Sequence, residues 1–266
     1  MEIQRTDLAH EAISNAQNSD SRFIKRAIVD GFNIAYIDIK DDASMKSQIP
    51  VGKYISLFCD KVWIYDDEYK KSVTSVFSQQ LKKFILPHYK KVLICCIGNS
   101  EITADSLGPR VGERIFVNRH LVSNIKAFNL VSQREISMIS PGVIGQCGIG
   151  IEELAKCVSK LVNADLILTI DALASKKPEN LGTTIQISNA GIRPGSGVGG
   201  NRQEISQLST GLPVISIGVP TAIEYSSLVN SQRAERLLVS PKEIDLIISS
   251  YSSIIASGIN SALKNF

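Results

Sequence analysis

The chain is poor in the side chains that carry the commonest enzyme chemistries. Its 266 residues hold three histidines, five cysteines and one tryptophan. Cys59, Cys95, Cys96, Cys147 and Cys157 form no CxxC pair and no even framework, which argues against a disulfide-stapled secreted scaffold. Cys95 and Cys96 lie inside an apolar run and read as buried thiols in a reducing, cytoplasmic setting. Histidine and cysteine show no metal-ligand spacing, so neither a metal nor another cofactor is expected. Charge of one sign is scarce too. The net charge is +3, and the pairs Lys70-Lys71, Lys82-Lys83 and Lys90-Lys91 read as solvated helix faces, so no direct nucleic-acid contact is expected. No apolar run approaches a membrane span, and the polar N-terminus MEIQRTDLAHEA has no signal-peptide core, so no membrane association is expected.

What is present is an alternation of short apolar runs with helical periodicity. Residues 1–20 are polar and read as a mobile or processed arm, leaving 21–266 as a single α/β domain. Ile24 to Ile39 alternates like one or two strands, and Tyr54 to Phe58 like another, with an extension towards Trp63. Asp66 to Leu86 has helical spacing and stops at Pro87. Lys91–Ile97, Ala164–Ile170 and Leu212–Val219 read as buried central strands, and Thr183–Ile187 as a short one. Helices are expected over Ser106–Phe116, Ile151–Leu161 and Lys242–Leu263. This order predicts a three-layer α/β/α fold on a mostly parallel sheet.

Two aspartates follow central strands. Asp105 comes shortly after Lys91–Ile97, and Asp171 ends Leu166–Ile170. Ligands of open α/β sheets bind beyond the carboxyl ends of the strands, and two carboxylates brought there can share a proton and activate a water. The bland reading of Asp105 is a helix N-cap. For Asp171 it is a salt bridge to Arg110, Arg114 or Arg193, since an unpaired buried charge is costly. The stretch Gly191 to Gly200 lacks the Lys-Ser/Thr ending of a P-loop and reads as a substrate-side loop whose N–H groups could serve as oxyanion donors. Ser140-Pro141-Gly142 has no nucleophile-elbow pattern. Cys147 is a thiol without an evident partner, and His120 is the one histidine near a site segment.

Taken together, the segments resemble the germination protease family of spore-forming bacteria. The matching pieces, in order, are Arg5 to Ala9, Gly98-Asn99, Thr103 to Pro109, Arg119-His120-Leu121, Pro141-Gly142-Val143 and Gly145-Gln146. They continue with Ile170 to Ala174, Thr183 to Ile187, Gly195 to Gly199, Gly211 to Thr221 and Val239 to Asp245. The resemblance implies an endopeptidase that degrades small acid-soluble spore proteins in the germinating spore core. It also implies two essential aspartates falling on Asp105 and Asp171, a zymogen, a homotetramer, and a fold similar to hydrogenase maturation proteases. The family's propeptide is cut inside its RTDLA-like segment, which here falls between Asp7 and Leu8. His120 and Arg193 are candidates for supporting the site. The segment between Thr221 and Val239 is shorter than in typical members, and Ser100 stands where they usually have tryptophan. Two other readings remain open: a shortened paralogue that binds spore proteins without cutting them, and a maturation-type protease acting on another precursor.

Overall fold

The computed structural model describes residues 6–15, 23–40, 49–122, 134–193, 204–228 and 237–264. Ile24–Ile39 resolves into two antiparallel strands, β1 (Ile24–Val29) and β2 (Phe32–Ile39). Asp30 and Gly31 join them with φ of 51° and 85°, the positive values a tight hairpin turn of matching twist needs. β3 (Gly52–Phe58) pairs antiparallel with β2 and stops short of Trp63. Where the sequence suggests a mobile arm, residues 9–15 form α1 (Ala9–Asn15). Its Ala9, Ala12 and Ile13 pack on Ile37, Ile39 and Tyr54, and Leu8 is fully buried. Helix α2 (Asp67–Lys82) is capped by Asp66, whose carboxylate accepts from the Tyr69 N–H. β4 (Lys91–Ile97) is followed by α3 (Leu107–Gly112), β5 (Glu135–Gly142), α4 (Ile151–Leu161) and β6 (Leu166–Ser175). β7 (Thr184–Ser188), β8 (Val214–Glu224), β9 (Leu238–Val239) and α5 (Ile244–Leu263) complete the order.

The strands form one sheet in the order β1-β2-β3-β7-β8-β6-β4-β5, with β9 on β8. The parallel pairs are β8–β6, β6–β4 and β4–β5, and the remainder is antiparallel. The expected parallel sheet is therefore its central and one lateral portion. The β6-to-β7 connection is too short for a parallel crossover, so β7 returns antiparallel to β8 and carries β3 and its hairpin partners with it.

One face of the sheet presents Val92, Ile94, Cys96, Leu168, Ile170, Ile217 and Val219 to α2, α3 and α5. The other presents Leu93, Cys95, Ile97 and Ile167 to Ile151 and Ala155 of α4. Helices thus cover both faces. Helix α5 is long enough to cross a membrane and holds an 18-residue window of mean hydropathy 1.3, contrary to the expectation that no such run exists, yet 61% of that window is buried. Its Ile247, Tyr251, Ile255 and Ile259 are buried in the core, each contributing roughly 1.5–3 kcal/mol of apolar burial. Burial pushes the Cys96 thiol up to about 12 and Cys95 higher still, as inert core thiols require.

Candidate functional site

β4 delivers its aspartate through a tight loop. Residues Thr103–Asp105 form one 3-10 turn that folds back on the strand end. The Asn99 N–H donates to Asp105 Oδ2 and to the Asp105 carbonyl, both at 3.0 Å. Gly98 makes this possible: at φ +130°, a Cβ there would stand 2.0 Å from the Asp105 carbonyl oxygen. The N-cap position of α3 is Ser106, so Asp105 does not cap the helix and its carboxylate turns back to the strand end instead. The Asn99 side-chain oxygen accepts from Glu101 N–H and from Gln146 Nε2, the latter at 2.8 Å. The loop after β5, which carries Cys147, is thereby tied to the Asp105 turn. Thr221 of β8 donates to the Ala104 carbonyl at 2.7 Å, and the turn packs against both β6 and β8. Gly98→Ala is expected to reduce activity about a hundredfold or more while circular dichroism stays unchanged, because the added methyl displaces the Asp105 turn and not the core. A variant of wild-type activity would show that this placement is not needed.

Asp171 lies within β6, not at its end. β6 continues through Ser175 because β8 continues beside it, pairing Asp171 with Gly218 and Ser175 with Ile223. Cys96 pairs with Ile170, so β4 ends about where Asp171 begins. The side chain is 4% exposed, and its Oδ1 accepts from the Ala172 N–H at 2.9 Å. It belongs to a row of buried polar side chains on that sheet region, including Thr169, whose hydroxyl donates to Ser216 at 2.9 Å, and Gln186 of β7. Asp105 thus follows the carboxyl end of β4, and Asp171 lies on neighbouring β6 one residue past the last residue paired with β4.

The N-terminal segment occupies the next rung of β6. The Asp7 N–H donates to the Ala174 carbonyl at 3.0 Å, and the Ala174 N–H donates to Asp7 Oδ2 at 2.8 Å. Gln186 spans the Asp7–Leu8 bond: its Nε2 donates to the Asp7 carbonyl and its Oε1 accepts from Ala9 N–H, both at 2.8 Å. Behind it sits Glu11, 1% exposed. Its Oε1 accepts from Ser175 Oγ and Asn180 Nδ2, and its Oε2 from Thr6 Oγ1 and Lys176 N–H. Burial alone would raise the Glu11 carboxyl, but these four donors outweigh it and hold the group below its ordinary value. Burial likewise lowers His10, only partly offset by the neighbouring Glu11, with its Nδ1 3.1 Å from Ser56 Oγ.

Both shifts have the same sign for stability. The unfolded chain binds a proton at His10 below its ordinary value of 6.5, and at Glu11 below 4.5, before the folded chain does. Each contribution is complete above those values and is lost as pH falls through the folded one. The protection of residues 8–13 against hydrogen exchange, relative to the intrinsic rate at each pH, should therefore fall in two steps on acidification. His10→Asn should remove the upper step and Glu11→Gln the lower, and pH-independent protection would refute the assignment.

The other sequence candidates are elsewhere. Arg193 pairs with Glu204, Nε to Oε2 at 2.9 Å, beside the Ile192–Ile205 bridge. That bridge follows β7 at the end of the sheet away from Gly218, so Arg193 is not the partner of Asp171. His120 lies on an exposed turn, Arg119–Val122, tied through Asn118 to Ile136 near the start of β5, far along the strand from the aspartates. Arg110 and Arg114 are held by Glu113 on the outside of α3. Residues 194–200 of the glycine-rich loop, where oxyanion donors are expected, lie outside the described residues, as does Arg5. Among the described residues no cluster of three or more His, Cys, Asp and Glu is placed to hold a metal. Glu11, Asn99 and Gln186 went unread as site residues: Asn99 and Gln186 stand inside the quoted motifs, but nothing local announces the burial of Glu11.

Ligands of open α/β sheets bind beyond the carboxyl ends of the parallel strands, and Asp105 follows that end of β4 with Asp171 on the adjoining β6. The model of the germination protease family matches residues 2–235, and the chain belongs to that family. A germination protease of Clostridium perfringens is 33% identical over 308 aligned positions, covering 98% of this chain and 95% of the relative. One of Caldanaerobacter subterraneus is 36% identical, covering 98% and 94%. One of Bacillus licheniformis is 35% identical over 238 positions, covering 85% and 65%. The first of these alignments is longer than the chain, so that relative carries residues this chain lacks. Among solved structures, the [NiFe] hydrogenase maturation protease HycI from Thermococcus kodakarensis is a remote likeness at 16% identity and TM-score 0.40, covering 68% of this chain and 98% of that one. The chain is accordingly a protease of spore germination.

Proposed function

We propose that the chain is an aspartate-dependent endopeptidase of small acid-soluble spore proteins, made in the spore core as a zymogen whose residues 1–7 are removed. The observation that supports the mechanism is that Asp105 follows the end of β4 and Asp171 lies on the neighbouring parallel strand β6 just past the last residue paired with β4. One carboxylate, ionised, takes a proton from a water as that water attacks the scissile carbonyl. The other, protonated, donates to the carbonyl oxygen as the gem-diol forms; on collapse it takes that proton back while the first passes the proton taken from water to the leaving amine, so the pair ends each turnover with its single proton. Two carboxylates at one edge repel, which favours the singly protonated pair the chemistry needs. Asn99 holds Asp105 by its N–H and ties the turn to Gln146, keeping that carboxylate preoriented.

The seat of the arm supports the zymogen reading. Asp7 saturates the N–H and carbonyl of Ala174, three residues past Asp171, on a strand edge that an extended peptide would otherwise use. Protein spanning residues 8–266 should cut a purified small acid-soluble spore protein, and the full chain should be slower. No cutting by the trimmed form would instead favour a relative that binds spore proteins without hydrolysing them. Assembly as a homotetramer is part of the same proposal and is checked by sedimentation of both forms.

A further inference from the structure

Resting on the Asp7–Leu8 cut proposed above, we propose that the buried Glu11 carboxylate is the binding site for the α-ammonium group that the cut creates on Leu8. In the uncut chain the Leu8 N–H donates to Thr6 Oγ1 at 3.2 Å, and that hydroxyl donates to Glu11 Oε2 at 2.5 Å. The Leu8 nitrogen is therefore one hydroxyl away from the carboxylate. Hydrolysis converts the Leu8 amide into a primary amine that is protonated near neutral pH, and it frees Thr6 to leave with residues 1–7. Glu11, 1% exposed in the uncut chain, then loses one of the two donors on Oε2 and keeps the Lys176 N–H. A buried carboxylate stripped of a donor is costly, and a new cation lies beside it. Three residues apart is also the spacing at which a glutamate reaches back to a main-chain nitrogen.

Leu8 itself stays where it is. Its side chain is fully buried, Ala12 N–H donates to its carbonyl at 3.1 Å, and Ala9 N–H is held by Gln186. Neither hydrogen bond is made to residues 1–7. The remaining donors of Glu11 are Ser175, Lys176 and Asn180, which follow Asp171 on β6 and its exit. The new ion pair would therefore keep the end of β6 fastened after Asp7 has left Ala174.

The test uses protein beginning at Leu8, released from a cleavable fusion so that it does not depend on self-processing, beside the same protein acetylated at the Leu8 amine. Acetylation should lower the melting midpoint by about 4 °C or more with Glu11 present and should change it little in Glu11→Gln. The Leu8 amine, followed by NMR with labelled leucine, should titrate above the ordinary α-amino range of about 7.7–8.0. Equal acetylation shifts in both backgrounds, an ordinary titration, or rapid proteolysis of residues 8–15 in the unmodified trimmed protein would each overturn it. Whether the natural chain is cut between Asp7 and Leu8 is read separately, by mass spectrometry of the full chain, so failure of the cut and failure of the ion pair are distinguishable.

Discussion

Asp171→Asn in the protein beginning at Leu8 is expected to lower cleavage of small acid-soluble spore proteins by about a thousandfold or more, and Asp105→Asn by a similar factor. An asparagine cannot take the proton of the attacking water, nor return one to the leaving amine. The fold should tolerate both changes. In Asp171→Asn the new amide oxygen can still accept from the Ala172 N–H, and in Asp105→Asn from the Asn99 N–H, so the stability cost should stay within about 1–2 kcal/mol. Asp165→Asn is the informative control. Its Oδ2 accepts from Lys90 and Lys91 N–H at the start of β4, the end of the sheet opposite the proposed chemistry. It should lose some stability and keep its specific activity. Should Asp105→Asn or Asp171→Asn cut at the wild-type rate, the two-aspartate mechanism is wrong.

Glu11→Ala should be the most damaging single change outside the aspartates. It takes the acceptor from the Asn180 amide and the Lys176 N–H, both on buried or half-buried groups, leaves the Ser175 hydroxyl only its bonds with Lys177, and frees Thr6. Donors left without an acceptor cost about 1–3 kcal/mol each before relaxation or water entry, so roughly 2–4 kcal/mol is expected in all. The loss should appear as a lower urea midpoint and as faster hydrogen exchange in residues 8–13 and 174–177. Glu11→Gln should be milder, because its oxygen still accepts while its NH₂ meets a donor. An unchanged exchange pattern in Glu11→Ala would mean that the hub does not hold the arm.

The two predictions bear on different links of one chain of cause. The aspartates act on bonds, whereas Glu11 acts on where the strand that carries one of them ends. β6 runs past β4 by several residues, and that overhang is held on one side by β8 and on the other by Asp7. A device that frees one edge of the overhang while keeping its end fastened would open the site without unravelling it.

Local sequence settled the elements whose signal is local. The apolar run Lys91–Ile97, the helical spacing of Ile151–Leu161 and the long closing helix were legible because burial patterns repeat with the period of the backbone. The two aspartates stood out because a carboxylate after a buried strand needs an explanation. Direction of pairing was a different matter. β3, β7 and their hairpin neighbours read as ordinary strands, and only the short β6–β7 connection together with the position of β8 made them antiparallel. Asp171 read as a strand end because the apolar run stops at Ile170, while β8 carries the strand on to Ser175 by pairing with it. Arg193 and His120, expected as supporting residues, lie at Glu204 and beside the start of β5, positions that pairing between distant segments sets. Glu11 shows the limit most plainly. In sequence it is one charge in a polar N-terminal stretch, and its burial depends on donors at 175, 176 and 180, more than 160 residues away. Period and composition are properties of neighbours along the chain, and so the sequence by itself determined strands, helices and the two carboxylates. Which charge is buried, and what holds it, depends on contacts between distant segments, and only the tertiary structure decided that.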